Sequence, residues 1–174
     1  MGQGVLTPGF VGAPDGALAC EGVSIERVAR EVGTPCYVYS AAIIRDRYTR
    51  LSAALSAVPH RIHYTLKANS SRAVLRMLRD LGAGAEIVSG GELHRALAAG
   101  FTGKDIIFGG VGKTEDELDE ALRAKVSLIN VESLAELDCQ RQADISEADH
   151  CYVPVPIAHP LSILENTTAC GCGG

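Results

Sequence analysis

Residues 62–101 read IHYTLKANSSRAVLRMLRDLGAGAEIVSGGELHRALAAGF, and their rhythm decides the fold. The apolar run IHYTL from Ile62 reads as a buried strand. Ser71 then stands where a helix cap belongs, and Val74, Leu75, Leu78 and Leu81 fall on one helical face before Gly82 stops the segment. A second run, AEIVS from Ala85, repeats the strand. Ser89 with Glu92 has the spacing of a capping box, Leu93, Ala96 and Leu97 point inward, and Gly100 ends the helix.

The same beat continues outward. Strand-like runs begin at Ile106 (IIFGG) and Ser127 (SLINV), so the interval is about 22 residues, near the minimum for a strand, a short helix and two tight loops. Thr114 with Glu117 repeats the capping box ahead of Leu118, Ala121 and Leu122, and Ser133 with Glu136 marks a fourth start. About four βα units with nearly buried strands predict an α/β parallel sheet covered by helices. A doubly wound sheet and a (β/α)8 barrel both fit, and the near-constant spacing favours a partial TIM-type barrel. Upstream, residues 23–32 form a short helix capped by Ser24, 35–39 a strand, and 41–57 a longer helix carrying Ile43, Ile44, Leu51, Ala54 and Leu55. The first 20 residues read as an extended arm. Beyond Leu137 the beat stops, and Pro154, Pro156 and Pro160 crowd a stretch without lysine. The expected division is an arm and short helix at 1–34, a partial barrel at 35–137 and an irregular tail at 138–174.

Composition sets the surroundings. A net charge of −5 without a basic run argues against nucleic acid. No stretch approaches the roughly 20 apolar residues that span a bilayer, and residues 1–10 lack the charged and apolar segments of a signal peptide. The expectation is a cytoplasmic protein whose six cysteines are thiols. In the tail, His150, Cys151, His159, Cys170 and Cys172 are metal-binding residue types, but the one-residue spacing of Cys170 and Cys172 and the adjacency of His150 and Cys151 argue against zinc. No metal site is expected.

One residue carries candidate chemistry. Lys67 stands at the C-terminal end of the first strand, the end outside which βα folds bind ligands. A partly desolvated lysine there is a nucleophilic amine that condenses with an aldehyde. The bland alternative is a solvated charge where the strand leaves the core.

The wording around Lys67 resembles the pyridoxal-phosphate-dependent amino-acid decarboxylases of fold type III, and most closely diaminopimelate decarboxylase. The matching residues are Tyr64, Lys67-Ala68-Asn69, Gly82, Gly84 and Ser89-Gly90-Gly91-Glu92-Leu93. Thr34-Pro35 with Tyr37-Val38-Tyr39, the run IIFGGVGKT at 106–114 and INVES at 129–133 also match. The likeness covers about residues 10–137. It implies an alanine-racemase-like barrel holding pyridoxal 5′-phosphate at its mouth on Lys67, decarboxylation of meso-diaminopimelate to lysine, and homodimers among the full-length relatives. It also implies that the family's phosphate-binding glycines and other cofactor-tuning groups lie beyond the matching stretch.

Two positions depart from the family pattern. Thr65 stands where the family usually has Ala, and Glu86 where it usually has Asp in the second strand. That acid lies near the lysine in the family, so Glu86 is the second cofactor-binding candidate; otherwise it is a plain strand-end carboxylate. Glu92 reads as a capping residue more than a chemical group. Three roles follow from the likeness: a decarboxylase portion inactive alone, a non-catalytic pyridoxal-phosphate-binding barrel module, or a portion of a split decarboxylase that needs a partner chain. Open strand edges further imply self-association.

Overall fold

The structure, a computed structural model, describes residues 9–12, 16–134, 136 and 151–152. Its centre is a parallel sheet in the order β4 (His63–Thr65), β5 (Gly84–Ile87), β6 (Ile106–Phe108), β7 (Leu128–Asn130) and β8 (Cys151–Tyr152). Helices α3 (Arg72–Asp80), α4 (Gly90–Ala99) and α5 (Glu115–Arg123) follow β4, β5 and β6 in turn. This is the partial TIM-type barrel that the spacing predicts. The tail contributes one more strand than expected: β8 pairs parallel with β7, Ile129 to Cys151 and Asn130 to Tyr152. A two-residue strand has no period to read, so only its partner reveals it.

Side chains alternate across a strand, and here the alternation separates two different faces. Ala85, Ile87, Ile106, Phe108 and Ile129 form one buried cluster with Leu75, Leu93, Ala96, Leu118 and Ala121 of the helices. The registered positions Thr65, Glu86, Ile107 and Leu128 share the opposite face and are only half-buried. Val74, Leu75 and Leu78 of α3 are buried as their spacing requires, while Leu81 is half-buried. In α4 the inward set is Leu93, Ala96 and Ala99; Leu97 is 38% exposed, contrary to expectation.

The helix starts follow the cap signals in part. Thr114 and Glu117 form the reciprocal box. Ser89 accepts from Glu92 N, but the Glu92 carboxylate reaches back one residue further, to Val88 N. Ser71 holds the cap position of α3 without a side-chain bond.

Upstream, the arm is more ordered than an extended tether. β1 (Phe10–Gly12), β2 (Leu18–Cys20) and β3 (Val23–Ser24) make an antiparallel sheet, and α1 (Ile25–Val32) begins on the Ser24 cap. Glu21 ties this unit to α2 (Ala41–Ala54): its carboxylate accepts from Ser40 Oγ at 2.6 Å and Ala42 N at 2.8 Å. Residues 35–39 are not a strand. Pro35 lacks an N–H for a ladder, Tyr37 and Tyr39 are exposed, and no described strand lies beside them. Helix α2 ends at Ala54 and buries no residue fully. It leans on Val74, Leu78 and Ala83 through Ile44 and Tyr48.

Candidate functional site

Parallel strands bring all their C-terminal ends to one rim, and Lys67 stands there. It lies one turn past the strand, in a 3-10 turn at Leu66–Ala68, because β4 stops at Thr65. One buried side chain and two local bonds shape that turn. Leu66 is fully buried, Tyr64 Oη donates to Asn69 O at 3.3 Å, and Ser71 N donates to Asn69 Oδ1 at 2.9 Å. Burial, with the neighbouring Tyr39, pushes the Tyr64 phenol up, so it remains a donor at neutral pH. Lys67 itself is exposed, not partly desolvated as its strand-end position suggests. The turn carries it beyond the end of the half-buried strand.

Glu86 sits on the neighbouring strand, registered with Thr65. The Thr65 hydroxyl donates to Glu86 Oε2, so the two departures from the family pattern contact each other. The other oxygen, Oε1, stands 3.3 Å from the point where a Gly109 Cβ would be, and Asn130 Nδ2 stands 3.7 Å from the same point. Thr65, Glu86, Gly109 and Asn130 therefore line one stretch of the rim. One layer lower, His63 packs on Gly84, where a Cβ would come within 2.3 Å of the ring. Burial first, and then Arg61, lower the His63 pKa and favour the neutral ring.

Behind this rim lies an ion pair that sequence reasoning missed. The Lys113 side chain is 1% exposed and that of Glu136 is 8% exposed. Lys113 Nζ donates to Gly110 O at 2.5 Å, Asn130 O at 2.6 Å and Glu136 Oε2 at 3.1 Å. Glu136 also accepts from Gly112 N, Lys113 N and Glu132 N. Burial pushes the Glu136 carboxyl up, but the Glu132 N–H, the Lys113 ammonium and the Gly112 N–H outweigh it and hold the group below the usual carboxylate range. The pair thus joins the turn after β6 to the end of β7. Ser133 with Glu136 does carry the cap, since Glu136 N donates to Ser133 Oγ. The local signal hid the longer-range one.

The start of α4 already carries negative charge. Glu117 Oε1 accepts from Gly90 N at 2.9 Å, and the Glu92 carboxylate accepts from Val88 N at 2.8 Å. An anionic ligand would meet like charge at this helix end, despite its dipole. Among the described residues no group of three or more His, Cys, Asp or Glu is placed to hold a metal. His150, His159, Cys170 and Cys172 lie outside the described residues, as does the Cys151 side chain. No described helix is long and apolar enough to cross a membrane.

With this geometry in place, comparison assigns the class. Residues 41–150 match the pyridoxal-dependent decarboxylases over their pyridoxal-binding domain, and the chain belongs to that family. Within it, the chain is similar to diaminopimelate decarboxylases. It is 46% identical to that of Pseudomonas fluorescens over 151 residues, which are 87% of this chain and 35% of the relative. The Pseudomonas aeruginosa protein is 48% identical over 124 residues, 71% of this chain and 30% of the relative. Among solved structures, diaminopimelate decarboxylase from M. jannaschii in complex with L-lysine superimposes with a TM-score of 0.70 at 33% identity. That match covers 75% of this chain and 31% of the other. The chain spans about a third of the length of the relatives it matches.

Proposed function

We propose that the chain is the lysine-bearing part of a diaminopimelate decarboxylase, with Lys67 holding pyridoxal phosphate and Glu86 beside it as a cofactor-binding acid. The observation that carries this reading is the placement of an exposed primary amine on a pinned turn at the rim, inside the family match. The residues present fit the aldehyde end of the cofactor and one polar edge. Lys67 Nζ supplies the amine, Glu86 Oε1 an acceptor, and Gly109 a bare backbone against which a flat group packs. Bound pyridoxal phosphate supplies an electron sink for the pair left behind when carbon dioxide departs.

The protein's own part in that chemistry is positional. Buried Leu66 and the Tyr64–Asn69 bond fix the backbone of the turn, which sets where the Lys67 stem leaves the rim. The like charge of Glu92 and Glu117 disfavours the start of α4 as the seat of the phosphate. An α-amino acid, meso-diaminopimelate by the likeness, is the substrate of this reading.

The sequence itself supplies the controls for a test. It has four lysines, Lys67, Lys104, Lys113 and Lys125; Lys104 and Lys125 are exposed, whereas Lys113 is buried. Incubation with pyridoxal phosphate, borohydride reduction and peptide mapping should put the label on Lys67 well ahead of Lys104 and Lys125. Equal labelling of the three exposed lysines would remove Lys67 from the role.

A further inference from the structure

The rim holds two polar atoms for which the described structure shows no bond: Glu86 Oε1 and Asn130 Nδ2. Both lie within 4 Å of the point above Gly109 where any other residue would place a Cβ. The opening is thus an acceptor and a donor set side by side over bare backbone. Its orientation has a cause. A carboxylate on a half-buried strand position has freedom about its last torsion, but the Thr65 hydroxyl has one proton and gives it to Oε2. That leaves Oε1 turned toward Gly109. The backbone from which the Asn130 side chain springs is held in place, since its carbonyl accepts from the buried Lys113 ammonium.

We propose that this opening is a polar subsite that accepts an N–H, ammonium or O–H donor of a bound ligand on Glu86 Oε1, with Asn130 Nδ2 donating to an adjacent acceptor, and that Thr65 is the positioning residue that aims Glu86 into it. The inference rests on the cofactor reading for the sources of such a ligand, which are the polar edge of the pyridoxal ring and the α-amino group of an amino acid. A subsite formed by a missing Cβ predicts that adding one abolishes it. Gly109 does not have the positive φ of Gly110 and Gly112, so alanine is compatible with its backbone. The new methyl would stand 3.3 Å from Oε1 and take the place of the ligand.

The test uses two probes that carry no aldehyde, 4′-deoxypyridoxine phosphate for the ring edge and L-lysine for the amino acid, titrated calorimetrically into the whole chain. Thr65→Val keeps the shape and removes the hydroxyl, and Thr65→Ser keeps the hydroxyl. Loss of a charge-assisted contact corresponds to about a tenfold weakening. Thr65→Val and Gly109→Ala should each weaken binding of one probe about that much or more, while Thr65→Ser binds like the wild type. The probe that responds identifies the source. Equal affinity of the wild type, Thr65→Val and Gly109→Ala for both probes overturns the proposal, and so does the absence of saturable binding of either probe to the wild type. Because neither probe reacts with Lys67, a failed Lys67 label with intact, variant-sensitive probe binding strikes the lysine assignment alone.

Discussion

Replacing Lys113 with methionine is the most informative single change to the scaffold behind the rim. Methionine nearly matches the lysine stem and removes only the ammonium. In the native protein that ammonium is 1% exposed and bonded to Gly110 O, Asn130 O and Glu136 Oε2. Its loss strands a buried carboxylate beside two backbone carbonyls, and breaking a buried pair from one side costs about 3–5 kcal/mol. A domain whose whole stability is about 5–15 kcal/mol would lose a large share of it. The Lys113→Met/Glu136→Gln double variant removes the stranded charge, so it should cost less than the sum of the two single changes, with a coupling of about 1–3 kcal/mol. Urea unfolding with an unchanged m value measures both quantities. A Lys113→Met midpoint within about 1 kcal/mol of wild type would show that water or a rearranged turn satisfies Glu136 and would refute the reasoning. Strict additivity of the double variant would do the same.

Other consequences are simpler to check. At Gly103 a Cβ would come within 1.8 Å of Ala124 O and 2.4 Å of Lys125 O, which are backbone atoms that cannot turn aside. Gly103→Ala should therefore cost about 3 kcal/mol, whereas Gly91→Ala, inside α4 with nothing nearer than 3.9 Å, should raise the thermal midpoint by the helix preference of about 0.5–1 kcal/mol. Burial pushes the Asp105 carboxyl up, but the Thr102 hydroxyl and N–H and the Arg61 guanidinium outweigh it and hold the pKa at about 2, against an ordinary 3.8. Because the folded value is depressed, this contribution is present above the ordinary value and is lost as pH falls toward about 2. Asp105→Asn should flatten that part of a pH series of urea midpoints, and an unchanged slope would contradict the assignment. The outer edge of β4 has no partner among the described residues, and Ile107 and Leu128 are only half-buried on the inner face. The chain should thus self-associate in light scattering; a sharp monomeric peak with cooperative melting would show that it closes on itself.

What was legible in the sequence was what repeats locally. Val74, Leu75 and Leu78 follow the helical period, Thr114 and Glu117 the capping spacing, and the strands after Ile62, Ala85, Ile106 and Ser127 the βα interval, and each appears in the structure. Elements defined by a distant partner were not legible. Residues 35–39 have strand-like composition but no ladder, while Cys151–Tyr152 lacks a pattern and has one. Glu136 reads as a cap because its bond to Ser133 is three residues long, and its bond to Lys113 spans 23.

The rim shows how far the two kinds of information can be joined. Helix packing claims one face of β5, β6 and β7, which is why Ala85, Ile87, Phe108 and Ile129 are apolar and buried. The alternate positions escape that demand, and at the C-terminal ends they carry Thr65 and Glu86, with Gly109 and Asn130 two residues beyond the inner-face Ile107 and Leu128. Strand period alone therefore tells which of the residues near Lys67 are free to serve a ligand. Parallel register then decides which of them meet, and register is a property of the folded sheet. Thr65 and Glu86 are 21 residues apart in the chain and directly paired in the sheet. Each is an isolated oddity until the strands align, and only then do they become one hydrogen-bonded unit.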